Sequence, residues 1–350
     1  MNKIIEGDMA YVYQANLPWE NFAGQTVLIT GASGFLPAYM VETLLYINRQ
    51  KPDQNITVLA LVRNLEKAKT RFKDHLDDKH LILVHKDVCD EMVFDRKVDY
   101  IVHAASQASP KYYGVDPVGT LNANVLGTIN LMKLAKKDNV RSFLFFSSGD
   151  VYGQVDESRI PMKEDHYAHL DPTNVRSCYG ESKRMGETIC ASWFYQYGVP
   201  AKMVRPFHTY GPKMLLDDGR VFADFVNDIL NNRDINLNSD GSAQRAFCYL
   251  ADATIAFFTV LLKGENGQAY NVGNPYQEYS ILQLAHIMTG LYPEKGLKVS
   301  SVQKTIEGNN YLKSPINRGT PDISKLEAFG WKPQISAEDG FRKVVESYLV

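Results

Sequence analysis

Tyr179 and Lys183 stand four residues apart in the run YGESK, residues 179 to 183. On a helix that spacing puts both side chains on one face. A phenol beside an ammonium can carry a proton to or from a reacting oxygen. By itself the phenol is a poor acid or base at neutral pH, because its unperturbed pKa is about 10. A nearby positive charge favours the phenolate, and a tenfold gain in its ionisation constant requires about 1.4 kcal/mol of differential stabilisation. Many helices carry such a pair by chance, so the pair needs a partner. SSGDVYG, residues 147 to 153, ends an apolar run and offers the Ser148 hydroxyl to hold an alcohol or carbonyl oxygen beside Tyr179. Together Ser148, Tyr179 and Lys183 point to proton transfer at a carbon that is being oxidised or reduced.

The elements that must position these residues are read from periodicity. TVLIT (26–30) is an apolar, β-branched strand, broken by Gly31 to Gly34, and AYMVETLLYI (38–47) has helical spacing. Strands follow at 57–62, 81–85, 100–105 and 142–148, with a charged helix around 65–76 and an amphipathic helix at 125–137. This alternation predicts an α/β fold, a Rossmann-type doubly wound parallel sheet. Beyond about residue 206 the elements shorten, which predicts a smaller C-terminal α/β substrate-binding domain over the strands' carboxyl ends. The expected organisation is an N-terminal extension (1–25) anchored by Trp19 and Phe22, a dinucleotide-binding domain (26–205) and a substrate domain (206–350) interleaved with it.

GASGFLP, residues 31 to 37, has the spacing GxxGxxG with Pro37 in the third glycine's place. It leaves a strand and opens a helix, where backbone N–H groups can face a pyrophosphate. Gly31, Ser33, Gly34, Phe35 and Leu36 are therefore candidate cofactor contacts. Proline in a first helical turn costs little, since its missing N–H would have no helical partner there. Asp87, with Val88 beside it, follows the third strand and is placed to accept from an adenine amino group; Ala104 lines the end of the fourth strand. Lys183 would also hold the ribose of a nicotinamide. Loop, strand-end serine and Tyr/Lys helix occur in the chain order that a dinucleotide oxidoreductase needs.

The totals narrow the class. The 350 residues are 45% hydrophobic, and a net charge of -2 gives no push toward nucleic acid or an anionic membrane. Four scattered cysteines without a CxxC pair suit a reducing compartment. No apolar run reaches the roughly 18 residues of a membrane span. The N-terminus lacks the apolar stretch of a secretory signal, so the expected location is the cytoplasm. The eight histidines show no metal-ligand spacing, and no metal is expected.

With these motifs in place the chain resembles the extended short-chain dehydrogenase/reductases of the nucleotide-sugar epimerase/dehydratase family, over roughly residues 24 to 345. The likeness extends to NVLGT (124–128), RPFHTYGPKM (205–214), QRAFCYLAD (244–252) and YNVGNP (270–275). Within the family it is most similar to UDP-glucuronate decarboxylases, through ASPKYYGVDPVGTLNANVLGT and RSCYGESKRMGET. The resemblance implies Ser148, Tyr179 and Lys183 as the catalytic trio, Arg245 and Arg220 as contacts to a sugar-nucleotide diphosphate, and Tyr113 as a further substrate contact; Asp150 and His208, which depart from the family pattern, are substrate candidates by their positions. Tyr249 and Asn271 are weaker substrate candidates. It also implies a homodimer built through the Tyr179 helix and the 125–137 helix.

Departures from the family pattern bear on the reaction. Decarboxylases carry Thr-Ser-Glu, and 4,6-dehydratases Thr-Asp-Glu, where this chain has Ser148, Gly149 and Asp150. Gly149 supplies no acid or base for an elimination, and Arg318 lies only near the place of a decarboxylase arginine. His208 stands where the family has asparagine. Arg63 ends the second strand where aspartate often accepts from the ribose of NAD; arginine there, reinforced by Lys67 and Lys69, would attract the 2′-phosphate of NADP. These departures make the leading expectation an NADP-dependent enzyme, with NAD possible, that reduces the 4-keto group of a nucleotide-activated sugar of the dTDP-4-keto-6-deoxyhexose type for surface polysaccharide. The alternatives are UDP-glucuronate decarboxylase or 4-epimerase, and, from a different class, a noncatalytic dinucleotide-sensing protein. Retention of both Tyr179 and Lys183 speaks against the last.

Overall fold

The computed structural model describes residues 2–301 and 318–349. In chain order its strands are β1 (Thr26–Thr30), β2 (Thr57–Val62), β3 (Leu81–His85), β4 (Tyr100–His103), β5 (Ser142–Phe146), β6 (Ala201–Pro206), β7 (Thr209–Tyr210), β8 (Ile235–Leu237), β9 (Gln244–Ala246), β10 (Cys248–Tyr249), β11 (Ala269–Val272), β12 (Glu278–Ser280), β13 (Val299–Ser301) and β14 (Arg318–Gly319). Its helices are α1 (Lys3–Tyr13), α2 (Phe35–Gln50), α3 (Leu65–Arg71), α4 (Pro117–Asp138), α5 (Cys178–Tyr197), α6 (Val221–Leu230), α7 (Leu250–Lys263), α8 (Ile281–Gly290), α9 (Ser324–Glu327) and α10 (Ala337–Leu349).

Seven strands form one sheet in the order β11-β6-β5-β4-β1-β2-β3, and every pairing is parallel. A parallel sheet is stable when helices cover both faces, and this requires strands that are apolar throughout rather than alternating. TVLIT in β1 and SFLFF in β5 meet that requirement, with all five residues of each buried. The strand order reverses between β1 and β4, which opens the crevice where such folds bind ligands. The smaller strands gather above the sheet as β10-β7, β12-β9-β14 and β13-β8. The chain after residue 206 also returns to the main sheet, where β11 lies beside β6.

Several boundaries differ from the periodicity reading, each for a local reason. β4 and β5 stop at His103 and Phe146, and the residues just beyond leave the sheet to line the crevice. Helix α2 starts at Phe35 with Gly34 as its N-cap, so Pro37 falls in the first turn, where a missing N–H is tolerated. Helix α4 begins at Pro117, eight residues before the expected start; Asp116 caps it by accepting from the Gly119 N–H at 3.0 Å. Asp-Pro is a helix-start signal, but the small and polar residues after it mask the apolar stripe. Helix α3 ends at Arg71, ahead of the expected residue 76, and passes into a short 3-10 turn. Among the described residues no helix is long and apolar enough to cross a membrane.

Residues ahead of β1 pack tightly. Trp19 and Phe22 are buried as expected, and the Trp19 ring meets Phe258 edge-on with centroids 5.1 Å apart. Beyond these anchors, α1 buries Ile5, Asp8, Met9 and Val12.

A polar knot holds the crevice side of the fold. Arg205 at the end of β6 is 1% exposed and grips Glu187 of α5 with two hydrogen bonds of 2.8 and 2.7 Å. Its third nitrogen donates to the Tyr152 hydroxyl (2.9 Å) and the Glu164 carbonyl (2.8 Å). Tyr152 in turn donates to Asn271 of β11 at 2.5 Å. Removing one partner of a buried ion pair strands the other charge, at a cost of about 3–5 kcal/mol. Arg205→Met is therefore expected to lower the unfolding free energy by roughly that amount, measured by urea denaturation. A change below about 1 kcal/mol would show the knot to be dispensable.

Candidate active site

The crevice is a cavity of about 440 Å³ whose wall includes Gly31, Gly34, Phe35, Leu36, Ala104, Tyr113, Ser148, Asp150, Tyr179, Lys183, His208, Arg220 and Arg245. Folding thus collects thirteen of the sequence candidates around one space. Ser33, Arg63, Asp87 and Val88 are not on that wall.

At one end the loop after β1 makes a cradle. Gly31 has φ +63°, and a Cβ there would lie 2.8 Å from the Ala105 Cα. A Cβ on Gly34 would lie 2.9 Å from the Gly31 carbonyl oxygen, which accepts from the Gly34 N–H at 2.7 Å. Only glycine fits at either place, and the turn delivers the N-terminus of α2 to the cavity. Unpaired first-turn amides and the helix dipole suit a phosphate group. The residues present therefore fit the pyrophosphate of a dinucleotide. Beyond the cradle, Arg63 follows β2 and Asp87 follows β3, with Nη1 and Oδ2 3.9 Å apart and both side chains well exposed. Asp87 Oδ1 also accepts from the Cys89 N–H at 2.8 Å. Val88 is buried against α4 so closely that a Cβ on Gly127 would lie 2.8 Å from it.

Tyr179 and Lys183 share one face of α5, as their spacing requires. Both are buried. Lys183 Nζ donates to the Phe146 carbonyl at 2.6 Å, at the point where β5 ends. Burial brings the Lys183 ammonium down to about 7, with the carboxylate of Glu187 opposing. The Tyr179 ring stacks on Tyr113 with centroids 5.1 Å apart and planes 15° from parallel. Tyr113 is itself held by a 3.1 Å hydrogen bond from its hydroxyl to the Ala108 carbonyl. Burial pushes the Tyr179 phenol above its ordinary value and the Asp150 carboxyl adds to this; a hydrogen bond with Ser148 and the Arg220 charge oppose it. The expectation that Lys183 holds Tyr179 low is thus outweighed in the protein alone, because the ammonium is itself desolvated and spends a bond on Phe146.

The other end of the cavity is built around a half-buried acid. Asp150 follows Ser148 in a 3-10 turn and donates its N–H to the Ser148 Oγ at 3.1 Å. Burial pushes its carboxyl up, while Arg176, Arg220 and Arg245 pull it down. His208 is held well below its ordinary value, first by burial and then by Arg245 and Arg220, so its imidazole is neutral. His208 Nδ1, Ser106 Oγ and Ser147 Oγ are buried at this wall without a hydrogen-bond partner in the protein. Buried polar atoms are usually paired, so these three are open to a polar ligand in the cavity. Sequence reading passed over Arg176, Ser106 and Ser147. Arg176 lay inside a quoted motif, and Ser147 adjoined Ser148; Ser106 carried no signal until β4 ended before it.

Position 149 is one departure from the family pattern. A Cβ on Gly149 would sit 3.2 Å from the Phe207 ring, so a side chain there would need that ring to give by a few tenths of an ångström.

The family model described as the NAD dependent epimerase/dehydratase family matches residues 27–273. The chain belongs to this family. UDP-glucuronic acid decarboxylase 6 of Arabidopsis thaliana is 31% identical over 323 residues, 92% of this chain and 88% of that protein. UDP-glucuronic acid decarboxylase 1 of Xenopus tropicalis is 31% identical over 324 residues, 92% of this chain and 72% of that protein. Among solved structures, UDP-glucose 4-epimerase from Thermotoga maritima superposes with a TM-score of 0.78 at 21% identity, covering 93% of this chain and 99% of that one. That last likeness speaks for the fold alone.

Two weaker candidates prove to be internal. Tyr249 is fully buried and donates to Asp8 at 2.6 Å. Asn271 is fully buried in the Arg205 knot and donates to the carbonyls of Met162 and Asp322 at 2.8 and 2.9 Å. Neither is on the cavity wall. Arg318 is paired with Glu278 by two bonds of 2.6 and 2.8 Å and is not on that wall either.

The sign of one coupling is testable. Asp150 holds the Tyr179 phenol up. Asp150→Asn removes that negative charge, so the Tyr179 pKa falls and the acidic limb of the pH–activity profile, which a deprotonated Tyr179 sets, moves to lower pH. An unmoved or upward-moved limb in a folded Asp150→Asn variant would sink the assignment of Tyr179 as the titrating group.

Proposed function

We propose that this protein acts on a nucleotide-diphosphate sugar and removes the carboxyl group of a uronic acid, UDP-glucuronate being the first substrate to test. The observation that carries the reading is the half-buried Asp150 carboxyl on the same cavity wall as Tyr179, Arg176, Arg220 and Arg245, whose charges act on it. Similarity to UDP-glucuronic acid decarboxylases along 92% of the chain supports it. This reverses the order of the two readings drawn from the sequence, which put 4-ketoreduction ahead of decarboxylation.

The cradle at Gly31, Ser33, Gly34, Phe35 and Leu36 would hold the cofactor pyrophosphate, Arg63, Asp87 and Val88 the adenosine, and Ala104, Tyr179 and Lys183 the nicotinamide end. NAD, when bound, would supply a two-electron acceptor and donor at C4, so the reaction would have no net redox change. Tyr179 takes the proton of the sugar's C4 hydroxyl, and Ser148 orients that oxygen by hydrogen bonding. With C4 a ketone, the carboxyl on the adjacent C5 makes a β-keto acid. The C5–carboxyl bond then breaks, its electron pair moves toward the C4 oxygen, and carbon dioxide leaves. The protonated Tyr179 and Ser148 stabilise that oxygen as its charge develops. Asp150, whose carboxyl burial holds up, returns a proton to C5. Arg220 and Arg245 hold the diphosphate by charge-assisted, forked bonds, His208 and Tyr113 contact the sugar, and Arg176 faces the uronate.

Decarboxylation of this kind needs a polarised ketone but no base at C5. An elimination needs both a base and an acid. Gly149 therefore weighs less against decarboxylation than it did in the sequence, and its weight against dehydration stands.

Arg63 favours the second reading, NADPH-dependent reduction of a 4-keto sugar. Its guanidinium lies 3.9 Å from the Asp87 carboxylate, which offsets part of its attraction for a 2′-phosphate and leaves NAD acceptable.

Purified protein with carboxyl-labelled UDP-glucuronate is expected to release labelled carbon dioxide without net change in absorbance at 340 nm. No release, together with stoichiometric loss of NADPH on a dTDP-4-keto-6-deoxyhexose, would replace this reading with the second. Tyr179→Phe should lower turnover by about 10²–10⁴-fold while cofactor binding persists; retained turnover would remove Tyr179 from the mechanism. Arg63→Asp should weaken NADP relative to NAD by roughly 10- to 100-fold, the worth of one hydrogen bond to a charged group. Equal ratios before and after would show that Arg63 does not read the ribose.

A further inference from the structure

Helix α1 lies ahead of the stretch that the family model matches, residues 27–273. It carries a fully buried carboxylate, Asp8. Its Oδ2 accepts from the Tyr39 hydroxyl at 3.1 Å and the Tyr249 hydroxyl at 2.6 Å, and its Oδ1 accepts from Lys343 Nζ at 3.1 Å. The three donors come from α2, β10 and α10. A buried carboxylate is tolerated only when paired and hydrogen-bonded, and these partners tie four elements to one point.

Two of those elements flank the cavity. Tyr39 lies one turn beyond Phe35, in the helix whose N-terminus forms the phosphate cradle. Ile5 and Met9 of α1 cluster with Tyr39 and Leu250, and Phe35 and Leu36 pack against that cluster. On the other side, Tyr249 ends β10, which pairs with β7 directly after His208. The Cys248 N–H donates to the His208 carbonyl at 3.0 Å, and Arg245 lies on β9 just before β10. The Asp8 carboxylate thus joins the helix under the dinucleotide half to the strand behind the sugar half.

We propose that Asp8 is a positioning residue: through Tyr39 and Tyr249 it fixes α2 against the strands that carry His208 and Arg245, and so sets the separation across which cofactor and sugar react. This rests on the reading that the cavity joins a dinucleotide to a nucleotide sugar. Each half keeps its own contacts without Asp8, so each ligand should still bind alone. The relation between the halves is what changes, and misplacement of reacting atoms by about 1 Å can cost on the order of 10²-fold in rate.

The test uses the full chain with Asp8→Ala and Asp8→Asn. Calorimetry reads NAD and UDP binding separately, steady-state kinetics read kcat and KM on UDP-glucuronate, and hydrogen exchange reads residues 35–40 and 246–250. A folded Asp8→Ala is expected to bind NAD and UDP as the native protein does, with kcat down about 10- to 100-fold and KM little changed. Asp8→Asn, which still accepts from both tyrosines, should recover most of kcat. Exchange should rise in both segments together while β1 and β5 stay protected. Native kcat in a folded Asp8→Ala, whatever its stability, overturns the proposal. If Asp8→Ala does not fold, Tyr39→Phe with Tyr249→Phe removes the same two bonds and is judged by the same readouts. If the native protein shows no turnover on UDP-glucuronate, the substrate reading has failed, and hydrogen exchange alone decides for Asp8: a joint rise supports it and unchanged exchange overturns it.

Discussion

The guanidinium of Arg205 is the constraint on which the crevice depends. It sits at the end of β6 with 1% of its surface exposed, where an unpaired charge would be intolerable. Every partner that satisfies it belongs to a different part of the site. Glu187 is one turn beyond Lys183 on α5; Tyr152 closes the turn that begins at Ser148; Glu164 accepts through its carbonyl and also takes the Asn271 N–H at 2.9 Å. The strand-end serine, the Tyr/Lys helix and the returning strand β11 therefore share a geometry that cannot relax piecemeal. Low local dielectric makes such a network strong when complete and costly when broken.

Burial also sets the electrostatics of the chemistry. The same exclusion of water that raises Tyr179 and Asp150 lowers Lys183 and His208. Burial thus shifts each of these four groups in the direction of its neutral form. A neutral imidazole and a carboxyl held up by burial can donate or accept as a substrate demands. The arginines Arg176, Arg220 and Arg245 keep the positive charge that a diphosphate or a carboxylate would meet. A ligand that brings negative charge suits this wall better than a neutral one.

Glycines mark where the backbone must come close. At Gly31 and Gly34 the close approach makes the cradle. At Gly149 the Phe207 ring comes close, 3.2 Å from where a Cβ would lie. Decarboxylation tolerates a glycine there better than elimination does.

The sequence by itself determined the parts whose information is local. Apolar runs specified β1, β2 and β5, because a doubly covered strand must be apolar on both faces; β3, half-buried at the sheet edge, was legible from LILV alone. Glycine spacing specified the cradle, and the four-residue step specified that Tyr179 and Lys183 share a face. Asp116-Pro117 was legible as a helix start, yet the weak stripe behind it hid eight residues of α4. Tertiary structure alone decided the rest. Tyr249 and Asn271 carry the residue types of substrate contacts, but their partners, Asp8 and the Arg205 knot, come from far along the chain and turn them inward. Ser106 and Ser147 join the site because β4 and β5 end just before them, and Arg176 because the turn leading into α5 brings it to the cavity wall. The role of Asp8 was invisible for the same reason: a carboxylate in a polar-looking extension gives no hint of its three donors. Their positions, Tyr39, Tyr249 and Lys343, are scattered along the chain, and only folding brings them within hydrogen-bond reach.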